Sequence, residues 1–312
     1  VATLHPYVVW HDVHVNRELL DGLLLALIAY LALLAHERRS ALLAAATGAV
    51  LGVAVLGNSR LVLLPLVLAP FVAWRVRPGP RALAASLLVV AGAAAVVAPW
   101  AIRNRVQVGC VAITTDARAL WKANNPATYD VLAAGQWIDD VPDLPGVPPW
   151  PDRAADIYEE TGELVEVDEC AQMRFYQDEV TRFWRDEPGE KARLAAQAVR
   201  MLWSPLLSVE ADDPGQRGAT DLLQRTVEPL FVALLYVLAA WGAFLAPRRF
   251  VVLAAMMLGL NTVMAMVFAG TARYRVPWDF LLAVLAAFAL VRAAGALRDM
   301  RRRRAAAPSD AS

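Results

Sequence analysis

The stretch ALAASLLVVAGAAAVVAPWAI, residues 82–102, decides the fold class of this 312-residue chain. A helix needs about 20 apolar residues to cross a bilayer, and this stretch supplies them without a single charged side chain. Pro99 and Trp100 place a helix break and an aromatic anchor where such a helix would leave the lipid. Because 58% of the chain is hydrophobic, more than a soluble core needs, the sequence predicts an all-α polytopic membrane protein.

A polar loop domain, residues 103–226, follows this helix and must lie wholly on one side of the membrane. It holds 13 basic and 22 acidic residues, so its formal charge is 13 − 22 = −9, while the rest of the neutral chain carries +9. Apolar stripes predict helices over residues 168–185 and 190–203. The second helix suits either a membrane surface or packing against the first helix. The β-branched stretch VGCVAITT, residues 108–115, predicts a short strand or an extended segment.

Other apolar stretches extend outward from this loop domain in both directions. One of them, residues 41–74, is interrupted at Gly57-Asn58-Ser59-Arg60 and predicts either two short crossings or a hairpin that penetrates partway. The total is about seven transmembrane helices. The remaining predicted crossings are residues 19–35, 227–246, 250–269 and 278–297.

The distribution of basic residues predicts the orientation in a plasma (inner) membrane. Arginines collect in segments that then lie in the cytoplasm, which places the N-terminus and the loop domain outside and the basic tail inside. The chain divides into an N-terminal transmembrane part (1–102), the extracytoplasmic loop domain (103–226), a C-terminal transmembrane part (227–298) and a cytoplasmic tail (299–312). The inner arginines are Arg38, Arg39, Arg75, Arg77, Arg81, Arg248, Arg249, Arg298 and Arg301 to Arg304.

The segment HPYVVWHDVHVNRELLD, residues 5–21, crowds three of the four histidines of the chain beside acidic residues. On a helix, the spacing of His11, His14, Glu18 and Asp21 puts all four on one face, which is metal-ligand geometry. The sequence therefore predicts a divalent-metal site (Mg, Mn or Zn) held by Glu18 and His14. The alternative is a polar interfacial loop. The chain has no GxxxxGK[ST] loop, and no nucleotide cofactor is expected.

Cys110 and Cys170, the only cysteines, both fall in the predicted outer loop domain. Disulfides persist on that side of a membrane, so a bridge between the two is one hypothesis. Two cysteines on the same side need not approach each other, and two free thiols are the alternative.

The short turn GTARYRVP, residues 270–277, joins two predicted crossings at the depth of the lipid phosphates. Arg273 and Arg275, flanking Tyr274, point the same way if the segment is extended, and Pro277 favours an extended backbone before it. The three residues would then form a phosphate clamp, or else they only anchor the helix ends. Arg60 is expected to be an interface anchor, with an anion contact as the alternative.

Several of these motifs together resemble the polyprenyl-phosphate-sugar-dependent membrane glycosyltransferases of the GT-C superfamily, of the dolichyl-phosphate-mannose protein mannosyltransferase and aminoarabinose transferase type. The resemblance spans most of the chain and rests on the order of short motifs across the predicted topology. These motifs are HPYVVWHDVHVNRELLDGLL (5–24), PWAIRNRVQVG (99–109), LWKANNP (120–126), EPGEKARLAAQAVRMLWSP (187–205) and TARYRVPWDFLLAVLAAFAL (271–290).

The resemblance implies transfer of a sugar from a polyprenyl-phosphate-linked donor to an extracytoplasmic acceptor, which is a protein, a lipid or a glycan. In that family an acidic residue of the first outer loop is the catalytic base. Glu18 looks like the acidic residue of the second outer loop instead. The main base is therefore expected upstream of Val1, and the chain alone is expected to be an inactive fragment.

The resemblance also extends to contacts and partners. The LWKANNP segment offers Trp121, Lys122, Asn124 and Asn125 as acceptor or sugar contacts, while the arginine turn would hold the donor phosphate. The expected partners are the lipid-linked donor, the acceptor and membrane lipids, with no nucleic acid. Two other classes stay open: a transporter or flippase for a lipid-linked or anionic substrate, which would need charges at the middle of its helices, and a structural membrane subunit with a binding ectodomain.

Overall fold

The computed structural model describes residues 17–74, 79–144, 157–164, 167–205 and 226–306, the last four of these without their side chains. Regular structure within these ranges is helical, and no strand occurs there. The principal helices are α1 (Arg17–Arg38), α2 (Ala41–Gly57), α3 (Leu64–Ala73), α4 (Pro80–Gln107), α5 (Arg118–Lys122), α6 (Thr128–Ala133), α7 (Glu169–Asp186), α8 (Pro188–Trp203), α9 (Glu228–Leu245), α10 (Arg248–Val267), α11 (Ala272–Arg275) and α12 (Asp279–Ala306).

Five helical stretches are long and apolar enough to cross a bilayer: α1, α4, α9, α10 and the stretch Ala272–Arg302 that contains α12. Helices α2 and α3 are apolar but have only 17 and 10 residues. A short 3-10 turn, Ser59–Leu61, follows α2 at the predicted interruption. The described part of the chain is therefore helical, as predicted, and has the long apolar helices expected of a membrane protein, while a count of about seven crossings stays a prediction.

Close backbone contact joins the short apolar helix α2 to the long helix α4. A Cβ added to Gly48 in α2 would lie 2.2 Å from the carbonyl oxygen of Val89 in α4, and one added to Gly52 would lie 2.7 Å from that of Ala93. Glycines four residues apart present the same helix face, which lets two backbones approach as in small-xxx-small packing of membrane helices. The short helix α2 therefore packs backbone to backbone against α4 at Gly48 and Gly52.

The segment 108–115 forms no strand, so the first of the two predicted conformations, a short strand, is wrong. β-branched residues favour strands when a neighbouring strand is present to pair with, and none is described here. Side chains from the end of α4 bond the backbone of this segment instead: Asn104 Nδ2 donates to the carbonyl oxygen of Ala112 at 2.8 Å, and Trp100 Nε1 donates to that of Ile113 at 2.9 Å. The same segment is joined to α7 by a disulfide between Cys110 and Cys170, whose Cα atoms are 6.0 Å apart.

The loop domain is built on α7 and α8 and rests on one end of the helical bundle. Its small core contains Trp121 and Tyr176, whose ring centroids are 5.5 Å apart. Helix α8 packs against α7 and also against α10 and α11. Gly270 lies so close to α8 that a Cβ there would be 1.8 Å from the carbonyl oxygen of Ala198. The apolar face of the amphipathic helix α8 is thus covered by neighbouring helices of this chain.

Candidate functional site

A polar cleft lies at the end of the bundle on which the loop domain rests. It forms where the first turns of α1, the 3-10 turn after α2 and the end of α10 meet α11. The chain therefore assembles it from its first described helix and its last helical hairpin. Its polar lining comprises Arg17, Glu18, Asp21, Asn58, Arg60, Asn261, Arg273 and Tyr274.

Glu18 and Arg273 form an ion pair inside this cleft, with Arg273 Nε donating to Glu18 Oε1. Glu18 is only 5% exposed. Among the described residues, none donates a hydrogen bond to its second oxygen, Oε2. The pair connects positions 255 residues apart because α1 packs against the 3-10 turn Val276–Trp278 that follows α11. The cleft is therefore lined by a buried carboxylate whose Oε2 has no donor among the described residues.

Asn58 bonds to two other parts of the cleft lining. Its Nδ2 donates to Asp21 Oδ2 at 2.9 Å, and its Oδ1 accepts from the backbone N–H of Arg60 at 3.2 Å. Arg17 Nε lies 3.6 Å from the same Asp21 oxygen. The Asn58 side chain thus donates a hydrogen bond to the buried Asp21 carboxylate and also caps the turn that carries Arg60.

Arg60 reaches into the cleft and lies over two aromatic rings. Its guanidinium carbon is 3.7 Å from the Tyr274 ring centroid and 5.0 Å from that of Phe268. Nη1 donates to the carbonyl oxygen of Ala269 at 3.4 Å. No carboxylate within the described ranges forms an ion pair with Arg60. This placement differs from the simple interface anchor that was expected and favours an anion contact.

The formal charge of the cleft lining supports the same conclusion. Three arginines (Arg17, Arg60 and Arg273) stand against two carboxylates (Glu18 and Asp21), which leaves a formal charge of 3 − 2 = +1. An arginine fork is well suited to phosphate oxygens because it makes two parallel hydrogen bonds. The described lining is thus better suited to an anion than to a cation.

Arg273 and Arg275 do not form a two-armed clamp, so that part of the prediction is wrong. Residues 272–275 are helical rather than extended, and side chains two positions apart on a helix diverge by about 200°. Arg275 is fully buried; its Nε donates to Asp279 Oδ2 at 3.2 Å, and its Nη1 donates to the carbonyl oxygens of Leu202 and Ser204 at 3.2 and 2.9 Å. Arg275 therefore ties the end of α8 to α12, while Arg273 and Tyr274 line the cleft.

The metal prediction finds no support from the described residues alone. Within them, no group of three or more His, Cys, Asp or Glu side chains is placed to hold an ion. Glu18 and Asp21 share their cleft with three arginines, which does not fit a divalent cation. His14, like His11, lies outside the described residues, so a site built on Glu18 and His14 stays a prediction.

The LWKANNP segment is buried beneath α7 and α8 rather than in the cleft. Asn124 Nδ2 donates to the carbonyl oxygens of Leu120 and Val267 at 2.7 and 2.8 Å, and its Oδ1 accepts from Trp184 Nε1 and Lys191 Nζ. Lys122 Nζ donates to the backbone of Asp139, Asn125 Nδ2 donates to the carbonyl oxygen of Trp121, and Trp121 is in the loop-domain core. These contacts join the loop domain to α10. A contact of Trp121, Lys122, Asn124 or Asn125 with acceptor or sugar stays a prediction.

Lys191 lies at the junction between the loop domain and α10, in surroundings that disfavour its positive charge. Its Nζ donates to Asn124 Oδ1 and, at 2.7 Å, to the carbonyl oxygen of Met266 at the end of α10. It also lies 5.1 Å from the Trp184 ring centroid. No described carboxylate forms an ion pair with it, and burial lowers the pKa of Lys191 to about 8.

A titration of the lysines checks this environment. The chain has two, Lys122 and Lys191, so after ¹³C-methylation NMR should show two lysine signals besides that of the N-terminal amine, and Lys191→Arg identifies the signal of Lys191. We expect the Lys191 signal to titrate near pH 8. Because the unfolded chain keeps this proton up to about pH 10.4, the group makes folding more favourable as pH rises between 8 and 10.4. A midpoint at the usual lysine value would show that the junction is open to water.

The sequence offered one signal for the residues that were missed. The sequence predicts an interface anchor at Arg60, with an anion contact only as the alternative, and no more than a break at Asn58, yet both residues lie where a polar run interrupts an apolar stretch. Non-helical backbone at membrane depth is tolerated where it lines a cavity, so such an interruption marks a site.

Comparison of the chain with protein-family models, curated proteins and solved structures found no match.

Proposed function

We propose that this chain is part of a membrane glycosyltransferase that moves a sugar from a polyprenyl-phosphate-linked donor to an extracytoplasmic acceptor. The observation that carries the proposal is the cationic cleft at the loop-domain end of the bundle. Phosphates of membrane lipids lie at the depth of helix ends, where Arg60, Arg273 and Tyr274 line this cleft. The donor phosphate binds there, and the hydrocarbon tail extends along the apolar helices.

The topology that goes with this proposal has about seven crossings, counting α2 and α3 as short ones. The loop domain and the cleft face the outside of a plasma (inner) membrane, and the arginine-rich tail faces the cytoplasm. The Cys110–Cys170 disulfide supports an outer position for the loop domain, because disulfides persist in oxidising compartments.

Impermeant thiol labelling of intact cells tests this orientation. Both native cysteines are bonded to each other, so single introduced cysteines give a clean signal. We expect Gln136→Cys in the loop domain to be labelled in intact cells and Arg301→Cys in the tail to be labelled only after lysis. The reverse pattern would contradict the orientation.

The arginines supply what phosphate departure requires. When the bond from sugar to phosphate breaks, negative charge grows on the lipid phosphate, and a preorganised guanidinium stabilises that charge. Arg60 is held by its aromatic contacts and by the turn that Asn58 caps, so little reorganisation is needed.

The transporter or flippase alternative is less well supported. A transport pathway uses ionisable residues at the middle of its helices. The charged residues of the cleft lie in the first turns of α1 or in the turns that flank spanning helices. These positions support chemistry at a membrane surface over passage through the membrane.

Binding of radiolabelled polyprenyl phosphate to the chain in lipid nanodiscs tests the proposal. We expect saturable binding that unlabelled polyprenyl phosphate displaces and polyprenol does not. Arg60→Met should weaken it about tenfold or more, since a charge-assisted hydrogen bond is worth about 1.5–3 kcal/mol. The matched control is Arg249→Met, which removes an arginine paired with Glu37 at the opposite end of the bundle and should bind normally. Equal binding of the alcohol and the phosphate would overturn the proposal.

A further inference from the structure

The free oxygen of Glu18 is the one buried acceptor in the described lining that the proposed donor phosphate does not explain. Glu18 is 95% buried, and Arg273 occupies only its Oε1. Oε2 has no donor among the described residues, although the side chain lines the cleft. A buried carboxylate oxygen left without a donor is costly, so a bound ligand that offers a donor is favoured.

The phosphate of the donor does not offer that hydrogen. In a polyprenyl phosphate sugar the phosphate is a diester, which is a monoanion without an O–H group at neutral pH. The hydrogen-bond donor must then come from the sugar, as a hydroxyl or an amino group. After transfer, the lipid phosphate becomes a monoester with a charge of about −1.5 to −2 at pH 7 and carries no sugar. That product brings more negative charge beside the Glu18 carboxylate and leaves Oε2 unsatisfied.

We propose that Glu18 Oε2 accepts a hydrogen bond from a hydroxyl or amino group of the donor sugar, and that Glu18 thereby favours the sugar-bearing donor over the spent lipid phosphate. This inference rests on the proposed function. Two residues of the cleft then bind different parts of the donor. Arg60 binds the phosphate that substrate and product share, whereas Glu18 recognises the part that only the substrate has. The carboxylate thus helps to release the product.

Competition binding in nanodiscs measures this preference. The probes are polyprenyl phosphate, polyprenyl phosphomannose and a polyprenyl phosphate bearing an aminosugar, each displacing radiolabelled polyprenyl phosphate. We expect the wild-type chain to bind at least one sugar-bearing lipid about tenfold more tightly than the bare phosphate, the size of one hydrogen bond to a charged group. Glu18→Gln should bring that ratio close to one. A larger loss for the aminosugar identifies an ammonium as the donor, and an equal loss identifies a hydroxyl.

Two further measurements keep the test decisive. Glu37→Gln removes an exposed carboxylate from the other end of α1 and should leave the ratio unchanged. If Glu18→Gln fails to fold, mono-deoxy analogues of the preferred sugar are tested on the wild-type chain, and removal of one hydroxyl or amino group should cost about tenfold. A wild-type ratio of one, an unchanged ratio in Glu18→Gln, or no sensitive position in the deoxy series would overturn the inference. Absence of binding by all three lipids would overturn the proposed function itself.

Discussion

Replacing Arg275 with Met is expected to lower the free energy of unfolding by about 3–5 kcal/mol, because it breaks a buried ion pair by removing one partner. Arg275 is fully buried and Asp279 is 3% exposed. The substitution takes the arginine away from this carboxylate and also removes the donor to the carbonyl oxygens of Leu202 and Ser204 at the end of α8. Thermal and denaturant unfolding of the purified chain in detergent measures the loss.

The control for this variant is Arg249→Met. Arg249 forms an exposed ion pair with Glu37 at 3.0 Å, and such pairs contribute only about 0–1 kcal/mol. We expect the two variants to differ by several kcal/mol although both exchange an arginine for a methionine. Similar stabilities for both would mean that the contact from Arg275 to α8 adds nothing to folding.

The helices of the bundle could be predicted from the sequence because each one is specified by a continuous run of apolar residues. A run of apolar residues such as 82–102 specifies a spanning helix without reference to any other part of the chain. The stretch 108–115 shows the limit of that approach. Its β-branched composition suggested a strand, but the partners that settle its conformation are Asn104, Trp100 and Cys170. Local propensity loses to such tertiary contacts.

The sequence predicted some residues of the cleft but not how they pair. Glu18 and the arginine turn stand out as polar residues beside apolar stretches, so both were candidates. Their pairing across 255 positions depends on how α1 packs on the last hairpin, which no local pattern specifies. The roles of Arg273 and Arg275 separated for a simpler reason: one helical turn replaced an extended backbone and sent the two side chains in different directions.

The end of α10 connects the cleft with the loop domain. Its last carbonyl oxygens accept hydrogen bonds from Lys191 at Met266 and from Asn124 at Val267, and Arg60 bonds to Ala269 just beyond. The last carbonyls of a helix have no partner within it, so side-chain donors stabilise this end. Two of these three donors come from the loop domain and one from the cleft. A shift of the loop domain on the bundle would therefore disturb the backbone that Arg60 contacts.

Gly242→Ala is expected to destabilise the chain by about 3 kcal/mol or more, at the upper end of the usual cost of overpacking. Gly242 lies where α9 meets α12, and a Cβ there would be 1.8 Å from the carbonyl oxygen of Leu285 and 2.6 Å from its carbonyl carbon. Those atoms belong to the backbone of α12, so no side-chain rotation relieves the clash. The two helices must separate along their contact, which forfeits packing between them.

The same substitution at Gly259 in α10 is the matched control. A Cβ there meets nothing within 4 Å. Alanine should then stabilise the helix by about 0.5–1 kcal/mol, because glycine loses more backbone entropy on folding. Unfolding in detergent should thus give opposite signs for one chemical change at two helix positions. If Gly242→Ala matched Gly259→Ala in stability, the close approach of α9 and α12 would be wrong, since added volume at that contact has no other place to go.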